Sequence, residues 1–257
     1  MTTQPLAGKQ TLVTGASRGI GKGIALAYAE AGADVALAAR TVSDLEAVAE
    51  DIRALGRRAL VIEMDAYELT QVEAAVDETV ASFGRIDVLV NNAGGSRNVE
   101  GGWMGLLDTE PKTVDLVFKL HVTSPYTAAR RAAQAMIKQG DGGVILNITS
   151  GLAFYPSIRV QNYSASKVAL QELTKLWGVE LGPYKIRVNA IGPGITRSAT
   201  TDKLFTTPEA EQAAAERIPL GRIGEPSDIA AAAIYLASDA AEWVSGGTLL
   251  IGGGQRH

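Results

Sequence analysis

Short runs of Val, Ile, Leu and Ala alternate along this chain with longer stretches in which apolar residues return at helical spacing. Gln10–Thr14, Asp34–Ala38, Ala59–Glu63, Ile86–Val90, Gly143–Ile148, Ile186–Ala190 and Thr248–Ile251 read as strands, and their near-continuous apolar character suits strands covered on both faces. Gly19–Ala31, Ser43–Leu55, Glu68–Phe83, Lys112–Gln139, Tyr163–Leu181 and Pro226–Ala237 read as helices, the first closed by Gly32 as a glycine C-cap. Strand and helix in alternation predict an α/β fold: a single Rossmann-type, doubly wound parallel sheet of about seven strands with helices on both faces. Ligands of such sheets bind beyond the carboxyl ends of the strands, so chemistry is sought in the residues that follow each strand.

Composition narrows the picture. The chain has 257 residues, 46% hydrophobic and 20% charged, enough for a large core. No Pro/Ser-rich or charge-run linker interrupts it, which predicts one domain over 1–257 with variable segments at about 95–107 and 196–218. A net charge of −4 offers no basic footprint for nucleic acid. The longest apolar run, Ile229–Ala237, falls well short of the roughly 20 residues that span a bilayer. Met1–Leu6 has neither the basic start nor the apolar stretch of an export signal, so the expectation is a cytoplasmic protein without a membrane partner. Cysteine is absent and the histidines are His121 and His257. That excludes disulfides, thiolate chemistry and a three-histidine metal site, and no metal is expected.

The first strand runs into Thr14-Gly15-Ala16-Ser17-Arg18-Gly19-Ile20-Gly21 and then an Ala-rich helix. Glycines there let the backbone turn tightly and approach a pyrophosphate, while the helix N-terminus presents free N–H groups. The spacing is GxxxGxG, which differs from GxGxxG. It also differs from a P-loop, since the Gly21-Lys22 pair lies one position too far from Gly15 and Gly23 replaces the required Ser/Thr. Taken alone, the segment reads either as a phosphate cradle or as a helix-starting turn.

Three further motifs accompany it: Asn91-Asn92-Ala93-Gly94 after the fourth strand, Tyr163-Ser164-Ala165-Ser166-Lys167 opening a helix, and Pro193-Gly194 after the sixth strand. In that order and spacing, from about Gly8 to Gly254, the chain resembles the short-chain dehydrogenase/reductase family, and among its subfamilies the 3-oxoacyl-thioester reductases and related carbonyl reductases. The resemblance implies a Rossmann-type domain, usually a homotetramer, with a nicotinamide near Tyr163 and the Pro193-Gly194 loop. It also implies cofactor contacts from Gly15, Ser17, Arg18, Gly19, Ile20, Gly21, Asn92, Ala93, Gly94, Tyr163, Lys167, Pro193, Gly194, Thr196 and Ser198, with Asp65 and Ala66 bordering the adenine. Asn91 is expected to brace the fourth strand as well as to face the cofactor.

Charge at the end of the second strand selects the nicotinamide cofactor. An acidic residue there would accept the ribose hydroxyls of NAD and repel a 2′-phosphate. Ala39 stands at that position, and Arg40 and Arg18 offer donors to a phosphate, so the reading is NADP(H). The alternative for both arginines is a solvated surface charge.

Tyr163 and Lys167 lie one helical turn apart, on one face. A phenol titrates near 10, and a nearby ammonium favours the phenolate, giving Lys167 an electrostatic role beside Tyr163 as proton carrier. By resemblance Lys167 also hydrogen-bonds the nicotinamide ribose. In isolation YxxxK also reads as an exposed helix pair. Ser150 ends the fifth strand's run, where its hydroxyl would donate to a substrate oxygen; no G-x-S-x-G elbow makes it a nucleophile. Thr149 and Ser157 read as structural hydroxyls.

His121 departs from the family, whose active members usually carry an asparagine that holds a relay water. It reads either as a replacement catalytic relay residue or as a core histidine satisfied by carbonyls. Ser198 replaces a usual threonine, and Gly252 stands where many relatives have aspartate.

The function read from these residues is NADP(H)-dependent interconversion of a ketone and a secondary alcohol, with 3-oxoacyl-thioester reduction as one form. Enoyl- or dienoyl-thioester reduction and a non-catalytic nicotinamide-sensing binding protein are the rival readings, and the intact Ser150, Tyr163 and Lys167 weigh against both. Substrate choice is assigned to the two variable segments, the second with an amphipathic helix as a lid, and to Trp103, Phe154 and Tyr155 as an apolar pocket.

Overall fold

The computed structural model describes residues 4–95, 104–155, 158–198, 201 and 205–254. Its seven strands are β1 (Gln10–Thr14), β2 (Asp34–Ala39), β3 (Ala59–Glu63), β4 (Val88–Asn91), β5 (Gly143–Ile148), β6 (Ile186–Pro193) and β7 (Thr248–Ile251). They form one sheet in the order β3-β2-β1-β4-β5-β6-β7, and every pairing is parallel. The order reverses direction between β1 and β4, the switch point where a ligand crevice opens in a doubly wound sheet.

Alternate strand residues serve two cores, which explains why these strands are apolar throughout. Val13, Val35, Leu37, Val90 and Leu146 pack with Ile24 and Tyr28 of helix α1 (Gly19–Glu30), Leu45 and Ile52 of α2 (Val42–Ala54), and Ile229 and Leu236 of α8 (Pro226–Ala237). Leu12, Ala36, Leu89 and Ile145 face the other way, onto Val72 and Val76 of α3 (Leu69–Phe83), Ala132 and Met136 of α5 (Ser124–Gln139), and Leu170 and Trp177 of α6 (Gln161–Leu181). In the second variable segment, α7 (Pro208–Ala215) is the expected amphipathic helix, opened by Thr207, whose hydroxyl accepts from the Ala210 N–H.

Three differences from the sequence reading have local causes. β4 begins at Val88, because Ile86 donates its N–H to the Gln139 side chain and Asp87 turns its carboxylate onto the Gln10 N–H. β6 continues to Pro193, because β7 pairs with Ala190–Pro193. The stretch expected as one helix over Lys112–Gln139 comprises α4 (Pro111–Phe118), a π-helical turn at Lys119–Thr123, and α5. The reason is Pro125: its ring would clash with the His121 carbonyl four residues back, and one wider turn accommodates it. Among the described residues no helix is long and apolar enough to cross a membrane.

Candidate active site

The carboxyl edge of the sheet is organised by buried amides. Across the β4–β5 register, Asn91 donates to Asn147 Oδ1 (2.9 Å) and to the Pro125 carbonyl (3.3 Å). Asn147 donates in turn to Thr174 of α6 (2.9 Å). Asn91 is thereby a brace, as expected, and does not border the cavity described next. Asn92 donates to the carbonyls of Thr14 (2.9 Å) and Gly15 (3.1 Å), while the Thr14 hydroxyl accepts from the Asn92 and Ala93 N–H groups (3.0 Å each). These bonds lock the β1 turn against the β4 turn.

Between these turns lies a cavity of about 880 Å³. Gly15, Ser17, Arg18, Gly19, Ile20 and Gly21 line it from the β1 turn, Arg40 from the end of β2, and Asp65 and Ala66 from beyond β3. Asn92, Ala93 and Gly94 line it after β4, Ser150 after β5, Tyr163 and Lys167 on α6, and Pro193, Gly194, Thr196 and Ser198 after β6. Apart from Asn91, every residue expected to face a cofactor therefore borders one space.

The glycines are required by that geometry. Gly15 has φ +66°, and a Cβ on it would stand 2.9 Å from Ala93 Cα. A Cβ on Gly21 would overlap the Gly15 carbonyl and the Asn92 side chain. Arg18, the N-cap of α1, makes no side-chain cap, so the first N–H groups of that helix keep their capacity to bind an anion.

Ser150 caps a short 3₁₀ turn at Gly151–Ala153, its Oγ accepting from the Leu152 N–H (3.1 Å), which leaves the hydroxyl proton to donate elsewhere. Lys167 is 5 % exposed and donates to the Ile148 carbonyl (2.8 Å); its Nζ stands 5.7 Å from the Tyr163 ring centre. Burial pushes Lys167 down to about 7. The sequence reading expected the ammonium to lower the Tyr163 phenol. Burial instead pushes that phenol up, and the neighbouring Ser150 side chain offsets this only in part. Both groups sit in an enclosed site where ionisation is costly.

His121, on the π-helical turn, does not line the cavity. It is 1 % exposed, and its Nε2 accepts from the Gly95 N–H (3.2 Å), which puts the proton of the neutral ring on Nδ1. Nδ1 is buried without a partner in hydrogen-bond geometry, so the Val117 carbonyl, which favours the charged ring, acts as a weak attraction only. Burial, and next the Lys167 charge, hold His121 well below the usual histidine range. Its ring stands behind Tyr163, a place that supports positioning of the tyrosine and not contact with a cavity water.

The remaining expectations divide. Thr149 is structural as read, donating to the Ile191 carbonyl (2.9 Å), whereas Ser157 and Trp103 lie outside the described residues. Phe154 and Tyr155 do not line the cavity; Phe154 packs over Gly192, and the apolar wall comes from Leu120, Leu152, Val160 and Ile195. The loop after β6 is pinned by Arg197 to Glu211 (2.5 Å) and Glu225 (3.1 Å). Sequence reasoning missed Thr41, Arg159 and Arg217, which also border the cavity. Position alone could have found Arg159, four residues before Tyr163.

With this geometry in view, comparison with known proteins assigns the class. A family model described as enoyl-(acyl carrier protein) reductase matches residues 15–256. The chain is 37% identical over 254 residues to 2-dehydro-3-deoxy-D-gluconate 5-dehydrogenase of Dickeya dadantii (strain 3937), covering 99% of this chain and 98% of that protein. It superposes with a TM-score of 0.90 and 39% identity on a short-chain type dehydrogenase/reductase from Mycobacterium marinum, covering 97% and 96% of the two chains. A 7α-hydroxysteroid dehydrogenase solved with NADH and 7-oxo glycochenodeoxycholic acid gives a TM-score of 0.92 at 36% identity, covering 99% and 97%. The chain belongs to the short-chain dehydrogenase/reductase family and is an oxidoreductase of that class.

Proposed function

We propose that this protein is an NADP(H)-dependent reductase or dehydrogenase that interconverts a ketone and a secondary alcohol. The observation that carries the reading is that Ser150, Tyr163 and Lys167 share one cavity with a glycine turn and with Arg18 and Arg40, neither of which has a side-chain partner among the described residues.

A nicotinamide dinucleotide fits these residues. The absent Cβ atoms at Gly15 and Gly21 and the uncapped start of α1 leave room and donors for a pyrophosphate, while Asp65 and Ala66 would border the adenine and Arg18 and Arg40 would pair with a 2′-phosphate. Thr196, Ser198 and Pro193-Gly194 would hold the nicotinamide end. When bound, the dinucleotide supplies or accepts the two-electron reducing equivalent.

In the reductive direction Tyr163 gives its phenolic proton to the carbonyl oxygen and Ser150 donates a hydrogen bond to that oxygen as negative charge develops. The raised phenol pKa keeps the proton on Tyr163 until substrate arrives. Lys167, protonated, stabilises the phenolate left behind, which regains its proton from solvent. His121 holds the Tyr163 ring from behind.

The unit is a single domain over residues 1–257, and it assembles as a homotetramer. Support for assembly comes from the exposed apolar residues Val168, Leu176 and Val179 on α6 and Leu116 on α4. The test is oxidation of NADPH and NADH followed at constant ionic strength across ketones, sugars, steroids and acyl thioesters. NADPH oxidation with a ketone supports the reading; reduction confined to the carbon–carbon double bond of enoyl thioesters contradicts it.

A further inference from the structure

The ionic side chains around the cavity are segregated. Asp44 and Asp65 are its carboxylates among the described residues, and both stand beyond β2 and β3, with Arg18 and Arg40. The cavity's other ionic residues are Lys167, one turn from Tyr163 on α6, and Arg159 and Arg217. Arg159 lies just before α6 and Arg217 just after α7, so they enter the cavity from two separate segments.

Their lack of partners is selective. The other described arginines off this wall are engaged: Arg53, Arg85, Arg130, Arg131, Arg197 and Arg222 pair with carboxylates, and Arg57, Arg58 and Arg187 donate to carbonyls. The four described arginines whose side chains make no hydrogen bond or ion pair among the described residues are Arg18, Arg40, Arg159 and Arg217, and all four line the cavity. A 2′-phosphate on the dinucleotide accounts for the first two. The second two are exposed arginines that line the same cavity as Ser150 and Tyr163, and Arg159 stands four residues before Tyr163.

We propose that Arg159 and Arg217 form an anion subsite, and that the substrate is a ketone or secondary alcohol bearing a carboxylate or a phosphate. This inference rests on the function proposed above. The guanidinium fork matches both anions through paired N–H donors, and the excess of positive charge favours entry of an anionic substrate. Leu152, Val160 and Ile195 supply the apolar wall between the anion and the reacting carbonyl.

The test uses the full-length protein and matched substrate pairs: short oxo-carboxylates with their methyl esters, and ketose phosphates with the free ketoses. The ratio of kcat/KM for the charged member over the neutral one is expected to reach about tenfold or more in one series, and that series identifies the anion. Arg159→Ala and Arg217→Ala bring the ratio toward one, and Arg159→Lys restores part of it. NADPH affinity, read by fluorescence titration, stays within about twofold of the parent in each variant. A ratio near one in the parent for both series overturns the subsite while leaving ketone reduction standing. So does a ratio that survives in the Arg159→Ala/Arg217→Ala double variant, or a loss of NADPH affinity in place of the ratio. If no member of either series, charged or neutral, is reduced with either dinucleotide, the subsite is overturned, and the function falls with it only when steroid ketones and oxoacyl thioesters also go unreduced.

Discussion

The imidazole of His121 stands edge-on to the phenol of Tyr163, with ring centres 5.1 Å apart and planes at 85°. The same ring fills the space that a Cβ on Gly94 would need, 2.8 Å from its Cδ2, and accepts from Gly95. One side chain thus sets both the tyrosine and the turn after β4. His121→Leu is expected to lose about 1–3 kcal/mol of stability, since the Gly95 N–H is orphaned and an edge-to-face contact is lost. It should also lower kcat more than it raises KM, with His121→Asn restoring part of the loss. The depressed pKa has a definite sign: the folded state takes up fewer protons than the unfolded chain, so stability falls as pH drops below about 6.5. Chemical denaturation between about pH 5 and 7 should show this slope in the parent and a shallower one in His121→Leu; identical slopes would contradict it.

Arg40 offers a second test. Arg40→Ala should weaken NADPH binding by about 1.5–3 kcal/mol, roughly 10- to 100-fold in Kd, with little change for NADH. Arg40→Asp should reverse or erase the preference. Equal or tighter binding of NADH by the unmodified protein would remove the charge argument.

Lys167 carries the opposite pH signature to an ordinary lysine. With its pKa at about 7 in the folded state against 10.5, folding penalises the charged form below about pH 7. As pH rises from about 7 toward 10 the unfolded chain holds more protons, so stability rises; above about 10 the raised Tyr163 pKa opposes this. The cofactor-free protein should therefore gain stability relative to Lys167→Met between about pH 7 and 9.5, measured by urea unfolding. Parallel pH profiles would show that Lys167 is not desolvated.

Much of this was legible in the residues. Strands such as Gly143–Ile148 have their bounds written in apolar runs ending at Gly or a polar residue, and the four motifs supply cavity residues from the turns after β1, β4 and β6 and from α6. The π-helical turn was not legible because its signal, Pro125 inside a helical pattern, also suits a kink or a break. The Asn91–Asn147–Thr174 chain depends on β4 lying beside β5 and on α6 packing over them, which no local pattern encodes. Burial misled the pKa reading of Tyr163, because YxxxK spacing gives the neighbour and not the enclosure. Arg159 and Arg217 are exposed and read as surface charges in the sequence, and only the fold shows that they border the same cavity.

The glycine turn gives a packing test. Gly21→Ala forces the Gly15 carbonyl and the Asn92 amide apart, and should cost about 1–3 kcal/mol along with most dinucleotide affinity. Gly182→Ala, where nothing lies within 4 Å of the added methyl, serves as the tolerated control. Thermal shift with and without NADPH reads both effects, and an NADPH-stabilised Gly21→Ala protein would refute the cradle.

The proposed function turns on Tyr163 as the donor of the proton to the substrate oxygen. Its most direct measurement compares single-turnover reduction of a ketone by NADPH in the parent and in Tyr163→Phe, with NADPH affinity determined on the same samples. The rate is expected to fall by about 10²- to 10⁴-fold while NADPH affinity stays within about twofold. A Tyr163→Phe protein that binds NADPH normally and reduces the ketone within about tenfold of the parent would contradict it.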